Sequence, residues 1–416
     1  MKTLDQWLDS LNQNKIDFGL ERIRKVLARK PFSEMDVPTI TVGGTNGKGS
    51  TVSAVSQLLQ SAGYTVGEFT SPHIFHYNER IKINGQAQSD QLIVSAFETI
   101  NQIRREIELS YFEFSLLAAL LIFQQQNVDY RVLEVGLGGR LDAVNSLDSD
   151  ISIITTVDID HSDWLGDSIE AIASEKAAIM RPGCVLVFGD NNCPQAILSR
   201  AQQEQVTVLQ WGRDFLVRIR ENHFSFESSQ CHFDDLPLPR MSTEYQLRNF
   251  TTALTAVINM LPDFRHDTVE TALSHWWLPG RIQHIQNKPD VIVDVAHNRQ
   301  AVQVLSEYLA EHPVNGYTRA VFSVLQNKQA ETWLPIINKH IDHWFIFELE
   351  SERANNLETL KLQLADAHAL ISACGDGAEA FHHAKNLSQP GDRVVVFGSF
   401  HVIEAVFKSR QQLFNI

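Results

Sequence analysis

The sequence has few cysteines, and none has a spacing that would give it a structural role. Its four cysteines, Cys184, Cys193, Cys231 and Cys374, include no CxxC pair and no Cys/His arrangement with the spacing of a zinc site. Their positions along the chain suggest no disulfide framework either. We therefore interpret all four as reduced thiols.

Long apolar runs and an excess of basic residues are also missing. No window reaches the roughly 18 apolar residues that a membrane span needs, and the acidic, amphipathic N-terminus does not resemble a signal peptide. The chain has 35 Lys and Arg against 50 Asp and Glu, a formal charge of −15. Because binding to a nucleic-acid backbone relies on concentrated basic residues, this balance argues against a nucleic-acid partner. We expect a cytoplasmic protein that binds small molecules, with local cations facing any anionic substrate.

The stretch 39–55 has the pattern of a strand, a phosphate-binding loop and a helix. An apolar β-branched run leads into a Gly-rich turn, and the helix that follows directs its positive end at the same place. The loop departs from the G-x-x-x-x-G-K-[ST] pattern, because Val42 replaces the first Gly and Gly49 replaces the hydroxyl residue. A Gly-rich turn without a ligand is the alternative, although Gly-Lys-Gly-Ser is a poor sequence for a simple turn. The residues expected at the nucleotide phosphates are Gly44, Thr45, Asn46, Gly47, Lys48, Gly49, Ser50 and Thr51.

Alternating apolar strands and helical patterns predict an α/β fold with a mostly parallel sheet covered on both faces. Strands are expected at 65–70, 130–135 and 150–157, and helices at 89–106, 113–125 and 168–180. Ser71, Glu134 and His161 each fall at the carboxyl end of a strand, where ligands bind in such sheets. Residues 214–237 have short alternating runs that predict a small antiparallel sheet.

A second α/β series begins after the Pro279-Gly280-Arg281 turn. Strands are expected at 291–295, 318–325, 344–349 and 393–398, which is the pattern of a smaller Rossmann-like domain. We therefore predict an ATP-binding domain over residues 1–282, a linker at 283–289 and a C-terminal domain over 290–416. Two N-terminal helices, at 3–12 and 20–29, are expected on either side of a break at 14–19.

Motifs spread over nearly the whole chain carry a family resemblance. GTNGKGS, SPH with NERI, YFEFS, EVGLGGRLDAVN, DHSDWLG, EKAAI, PGR, DVAHN and GSFH follow one another in this order. In these motifs the sequence resembles the Mur ligase superfamily and, within it, the dihydrofolate synthase/folylpolyglutamate synthase family. EVGLGGRLDA together with DHSDWLG is highly specific for that family.

The resemblance implies an ATP-dependent ligase that adds L-glutamate to 7,8-dihydropteroate and further glutamates to reduced folates. The substrate carboxylate would first take the γ-phosphate of ATP to form an acyl phosphate, which the glutamate amine then attacks. By resemblance, Ser71 and Glu134 hold one Mg²⁺ and His161 helps to hold a second, while Lys48 balances the charge of the phosphates. The family also suggests a monomer activated by K⁺.

Lys176, in the EKAAI motif, is carbamylated in this family. Carbamylation requires a neutral amine, and burial beside Ala177, Ala178 and Ile179 would favour that form by lowering the pKa of the amine. The alternative is a surface lysine paired with Glu175 or Glu170.

The resemblance also assigns substrate contacts. Flat heterocycles suit an aromatic pocket that holds one acid, although Phe112 and Phe114 also have the helical spacing of core residues. The residues implied for the pterin are Ser110, Phe112, Asp142 and Ala143, and those implied for the nucleotide, besides the loop, are Asn249, Arg281, Asp294 and His297.

Two departures from the family pattern lie in the C-terminal domain. Arg299 follows DVAHN where the family usually has Pro, and Asn327 and Gln329 stand where it commonly has aspartates. These changes leave alternatives open: a nucleotide-binding regulator without ligase activity, or a stand-alone ATPase. A Mur-type ligase acting on a cell-wall nucleotide peptide is a further alternative, which YFEF and RLDA oppose.

Overall fold

The computed structural model describes residues 2–11, 19–241, 243–365 and 369–414. The chain divides into two units, Met1–Trp277 and Leu278–Ile416. Apart from Gly19, the expected break at 14–19 lies outside the described residues. Within them, no helix is both long and apolar enough to cross a membrane.

An eight-stranded, mostly parallel sheet organises the first unit. Its strands are β1 Thr39–Gly43, β2 Val66–Phe69, β3 Ile81–Ile83, β4 Gln86–Ala87, β5 Tyr130–Glu134, β6 Ile151–Ile154, β7 Val185–Phe188 and β8 Thr207–Gln210. They lie in the order β4-β3-β2-β5-β1-β6-β7-β8, and only the β2–β3 and β3–β4 pairs are antiparallel. Strands β1 and β6 are buried along their whole length, as their β-branched sequences require of central parallel strands. In the parallel register Val42 lies opposite Glu134, so the phosphate loop and that carboxylate leave the sheet side by side.

Helices cover this sheet, and a small antiparallel sheet completes the unit. The helices are α1 Leu4–Ser10, α2 Glu21–Leu27, α3 Lys48–Ser61, α4 Asp90–Arg104, α5 Tyr111–Gln125, α6 Ser162–Leu165, α7 Ile169–Ala177, α8 Gln195–Gln203, α9 Glu244–Met260 and α10 His266–His275. Helix α5 is apolar on nearly every side and lies in the core, whereas α3 packs against α9 and α10. The expected small sheet forms from β9 Phe215–Arg220, β10 His223–Ser228 and β11 His232–Pro237.

The second unit is an α/β layer with a six-stranded sheet. Its strands are β12 Gln283–Asn287, β13 Asp290–Val293, β14 Thr318–Phe322, β15 His343–Ile346, β16 Leu370–Ala373 and β17 Arg393–Phe397, in the order β12-β13-β17-β14-β15-β16. Its helices are α11 Arg299–Glu311, α12 Leu334–Asn338, α13 Leu357–Gln363, α14 Gly377–Asn386 and α15 Phe400–Phe407. The Rossmann-like prediction for this part is confirmed, because β13, β17, β14, β15 and β16 pair in parallel, each with the next in this order.

The prediction of a linker at 283–289 is wrong. Residues Gln283–Asn287 form β12, an edge strand that pairs antiparallel with β13 through a turn at Lys288 and Pro289. Polar side chains suit an edge strand because one of its faces and its outer edge meet water. The polar composition that suggested a linker therefore marks a sheet edge.

Candidate active site

The phosphate loop follows β1 and lies between the end of β6 and helix α9. On one side lies the exit of β6: the backbone N–H of Asn46 donates to Thr156 Oγ1 at 3.2 Å, and Thr155 Oγ1 donates to the Asn46 carbonyl at 2.6 Å. On the other side lies α9, because a Cβ on Gly47, whose φ is +82°, would stand 2.6 Å from Asn249 Oδ1. Only glycine combines that backbone with so close an approach. The predicted residue Asn249 thus touches the loop.

Lys48 and two hydroxyls line the start of α3. The Lys48 ammonium donates to the carbonyls of Gly44 and Thr45, each at 3.1 Å. Ser50 Oγ and Thr51 Oγ1 are buried and have no hydrogen-bond partner among the described residues. A buried hydroxyl without a partner loses its hydration, which is costly unless a ligand replaces it. A mobile cation and two such hydroxyls at a helix N-terminus fit a phosphate group with a bound cation.

Lys176 points from α7 into the same region. Its side chain is 3% exposed, and Nζ donates to the Gly44 carbonyl at 2.9 Å. Burial and, to a lesser extent, the charge of Lys48 lower the pKa of this amine to about 7, while the charges of Asp160 and Asp142 oppose the shift. The alternative of a surface lysine paired with an acid is therefore wrong. Its sequence neighbour Glu175 instead pairs with Arg140, with 2.8 Å between Oε1 and Nε.

The expected metal ligands Ser71 and Glu134 are neighbours. The Ser71 backbone N–H donates to Glu134 Oε2 at 3.1 Å, and the Glu134 side chain is buried. His161 begins α6 in a left-handed backbone conformation, and its N–H donates to Asp160 Oδ1 at 2.8 Å. No group of three or more His, Cys, Asp or Glu side chains in the described chain is arranged to hold a metal. This donor set fits Mg²⁺, which binds one or two protein oxygens together with water and substrate phosphates.

The residues expected at the pterin lie around one loop and one helix start. A Cβ on Gly136 would stand 2.8 Å from the Phe112 ring and 3.3 Å from Asp142 Oδ2, so ring and acid face one small space. Ser110 caps α5 by accepting from the Glu113 N–H, and Ala143 is buried beside Asp142. Phe112 remains partly exposed, whereas Phe114 is a core residue at 1% exposure.

Asp142 is a buried acid held by backbone donors. Its Oδ2 accepts from the Leu137 N–H and its Oδ1 from the Val144 N–H, both at 2.9 Å. Burial raises the pKa of this carboxyl to about 6, while these hydrogen bonds and the Lys48 charge oppose the rise. A carboxylate so arranged can accept from the N–H donors of a heterocycle and change its charge in mildly acidic solution.

The second unit holds the remaining predicted residues, Arg281, Asp294 and His297. Asp294 accepts from the backbone N–H of Ile282 and of Ala296, each at 2.7 Å, and burial raises the pKa of its carboxyl to about 6. The cation of Arg281 lies 5.3 Å from the Phe400 ring centroid. His297 Nδ1 is 2.8 Å from the carbonyl oxygen of Val295. Asp294 does not cap the helix that follows it, because the N-cap of α11 is Asn298.

Three further side chains that support the site were not predicted. Thr155 and Thr156 brace the phosphate loop, and a pair of threonines at the end of an apolar strand was the signal for them. Arg181 donates to the carbonyls of Asn145 and Leu147, and also to that of Met180, which lies beyond Ala177, the last residue of α7. It therefore joins the chain after Asp142 to the segment that follows α7. Its position in the Arg-Pro-Gly after this helix gave no sign of that role.

Comparison with known proteins identifies relatives along almost the full length. The chain matches the Mur ligase middle domain over residues 42–259 and the Mur ligase glutamate ligase domain over residues 280–400. It is 34% identical over 402 residues to the dihydrofolate synthase/folylpolyglutamate synthase of Escherichia coli (strain K12), covering 97% of this chain and 93% of that protein.

Solved structures agree with that match. The structure of E. coli FolC in complex with DHPP and ADP superposes with a TM-score of 0.92 at 32% identity, covering 99% of this chain and 98% of that one. A bifunctional folylpolyglutamate synthase/dihydrofolate synthase with Mn, AMPPNP and L-glutamate bound gives 0.91 at 33% identity, covering 98% of each chain.

Proposed function

The chain belongs to the dihydrofolate synthase/folylpolyglutamate synthase family of Mur ligases, and on that premise we propose that it adds L-glutamate to 7,8-dihydropteroate and to reduced folates. It is an ATP-dependent acid–amino-acid ligase. The observation that carries the assignment is one cluster of neighbouring side chains: two lysines and two buried hydroxyls at the phosphate loop, the Ser71–Glu134 pair, and Asp142 beside the Phe112 ring.

Within this reaction the phosphate loop binds the polyphosphate of ATP. Lys48 releases the carbonyls of Gly44 and Thr45 and turns to the phosphates, because a phosphate oxygen is a stronger acceptor for an ammonium than a carbonyl. It then stabilises the negative charge that develops as the substrate carboxylate takes the terminal phosphoryl group. Ser50 and Thr51 supply the hydroxyls that face the phosphates or their cation.

Ser71 and Glu134 are the protein oxygens assigned to Mg²⁺, with His161 assigned to a second ion. When bound, these ions neutralise the phosphates and polarise the reacting oxygens. The side chains contribute position: Glu134 is fixed by the Ser71 N–H and by its buried place at the end of β5. Activation by K⁺ rests on the family resemblance alone.

Lys176 is assigned a carbamylated amine. Its burial and lowered pKa leave a substantial neutral fraction at neutral pH, and only the neutral amine reacts with CO₂. The carbamate would replace the cation with an anion beside the loop. That change removes the repulsion between Lys176 and Lys48 when both carry a charge.

The acceptor pocket uses Ser110, Phe112, Asp142 and Ala143 for the pterin. In the second unit, Arg281, Asp294 and His297 are assigned to the nucleotide together with Asn249 of the first unit. We assign the first unit, Met1–Trp277, to ATP and the pterin, and the second unit, Leu278–Ile416, to glutamate ligation. A monomeric, cytoplasmic enzyme is part of the same proposal.

The direct test is product formation. Purified protein incubated with ATP, Mg²⁺, L-glutamate and 7,8-dihydropteroate should yield dihydrofolate, detected by mass spectrometry, and tetrahydrofolate should gain one or more glutamate residues. Absence of both products from protein that binds ATP would favour a nucleotide-binding regulator instead.

A further inference from the structure

Arg80 is a buried cation without a carboxylate partner among the described residues. Arg80 follows Glu79 in the NERI motif and is 9% exposed. The guanidinium lies over the rings of Tyr77 and Tyr111, with its Cζ atom 5.8 and 5.3 Å from the two ring centroids. Its Nε donates to His73 Nδ1 at 2.8 Å. The Nη donors make no hydrogen bond to any described residue.

The nearby acids are already engaged elsewhere. Glu79 accepts from the backbone N–H groups of Ile74, Phe75 and His76 at 2.7 to 2.8 Å, so it orders the loop after β2. Glu113 Oε2 accepts from the Ser110 N–H and lies 3.4 Å from Arg22 Nε, whereas its buried Oε1 has no hydrogen-bond partner among the described residues. A buried guanidinium that lacks an anion is costly, and the faces of two tyrosines recover only part of that cost. The arrangement fits a site where an anionic ligand completes the charge balance.

The position of Arg80 in the site indicates which anionic ligand would balance its charge. Its carbonyl accepts from the Thr70 N–H at 3.0 Å, beside the expected metal ligand Ser71. The Tyr111 ring under its guanidinium lies between Ser110 and Phe112 in the chain, the expected pterin contacts. Arg80 therefore contacts both the helix start that carries residues assigned to the heterocycle and the chain next to Ser71, which is assigned to Mg²⁺.

We propose that Arg80, oriented by His73, binds the non-reacting carboxylate of the glutamyl residue that a folate acceptor carries. This inference rests on the proposed function. Dihydropteroate has one carboxylate, and that group reacts. A folate has two on its terminal glutamate, of which one reacts and the other must be held, and the planar guanidinium fork suits such a carboxylate. Arg80 is then the residue that lets one pocket accept folates after it has accepted dihydropteroate.

The experiment compares two acceptors in three proteins. Wild type, Arg80→Gln and Lys82→Gln, which removes a cation from the same hairpin, are assayed with dihydropteroate and with tetrahydrofolate. We expect Arg80→Gln to raise KM for tetrahydrofolate about 10- to 100-fold, the loss typical of a hydrogen-bonded charged pair, and to change KM for dihydropteroate less than about threefold. Arg80→Lys should recover part of the loss, and Lys82→Gln should resemble wild type with both acceptors.

A second measurement needs no variant and so survives a failure of Arg80→Gln to fold. Of the two mono-amides of tetrahydrofolate, the one that keeps the reacting carboxylate should show a KM about 10- to 100-fold above that of tetrahydrofolate with wild type. With a folded Arg80→Gln, that mono-amide and tetrahydrofolate should have the same KM. Equal losses with both acceptors, or no penalty for the amide, would overturn the proposal. Wild type inactive with both acceptors would instead overturn the proposed function.

Discussion

Lys48 and Lys176 donate hydrogen bonds to the same acceptor, the carbonyl oxygen of Gly44, with Nζ–O distances of 3.1 and 2.9 Å. One lysine begins the helix that follows the phosphate loop and the other comes from α7, more than a hundred residues later. Two cations that converge on one carbonyl repel each other, and this repulsion is one cause of the lowered pKa of Lys176. The pair links the nucleotide loop to the residue expected to carry a carbamate.

Carbamylation of Lys176 should be visible as a mass increase of one CO₂ under native conditions. Because burial lowers the pKa of the amine to about 7, the fraction able to react should increase as the pH rises through that value. Native mass spectrometry in bicarbonate between pH 6 and pH 8.5 should show the adduct growing. Lys176→Gln should lack it and lose turnover, while the exposed control Lys25→Gln should retain both. A wild type that carries only the free amine at every pH would contradict the assignment.

Glu134→Gln should raise the Mg²⁺ concentration required for half-maximal turnover by about tenfold or more. The amide keeps the size of the side chain and can still accept from the Ser71 N–H, so the loss isolates the charge that faces the metal. Titration of turnover with Mg²⁺ at saturating ATP measures the effect. If the titration curve of the variant overlays that of wild type, Glu134 has a structural role only.

Asp142 should give dihydropteroate binding a dependence on pH. Burial raises the pKa of this carboxyl to about 6, so the charged acceptor is present above that pH and is lost as the pH falls through it. KM for dihydropteroate should therefore rise towards pH 5. Asp142→Asn should increase KM about tenfold at pH 8 and flatten its profile. A variant that keeps the wild-type profile would place the titration in another group.

Arg299→Pro should be tolerated. Arg299 is the exposed first residue of α11, where the missing N–H of proline costs nothing, and the preceding Asn298 already has the extended backbone that proline requires, with φ −146° and ψ 172°. We expect the free energy of unfolding to stay equal or rise by about 0.5 kcal/mol, and turnover to stay within about twofold. Arg299→Ala separates loss of the charge from gain of the ring. A large change in glutamate-dependent turnover with Pro but not Ala would show that the family's proline matters to the site.

The sequence predicts this fold well where the chain is apolar and poorly at the sheet edges. Strands such as Ile151–Ile154 are buried β-branched runs, whose pattern leaves few alternatives. Strand β12 has the polar sequence QHIQN, and β16 is a short edge strand with Leu370 exposed, so neither carries the periodicity of a half-buried strand. Edge strands depend on their neighbours for pairing, and that information is not local.

The same division holds for the site. Residues at strand ends, such as Ser71 and Glu134, follow from the topology of a parallel sheet, and their hydrogen bond agrees with that prediction. The approach of Asn249 to Gly47 joins residues about two hundred positions apart, and motif resemblance was the only sequence signal for it. The unpaired charge of Arg80 could not be predicted, because NERI places an acid beside it that the structure uses for the backbone of the preceding loop.

The central claim is that ATP is consumed only to activate a pteroate or folate carboxylate for glutamate. Phosphate release should be measured with ATP and Mg²⁺, adding L-glutamate and dihydropteroate singly and together, with Lys48→Ala as the inactive reference. We predict sustained phosphate release only when L-glutamate and dihydropteroate are both present, and again when tetrahydrofolate replaces dihydropteroate. In Lys48→Ala the rate of release should fall at least about a thousandfold. Sustained release without glutamate would identify a stand-alone ATPase, and no release from ATP-binding protein would contradict ligase activity.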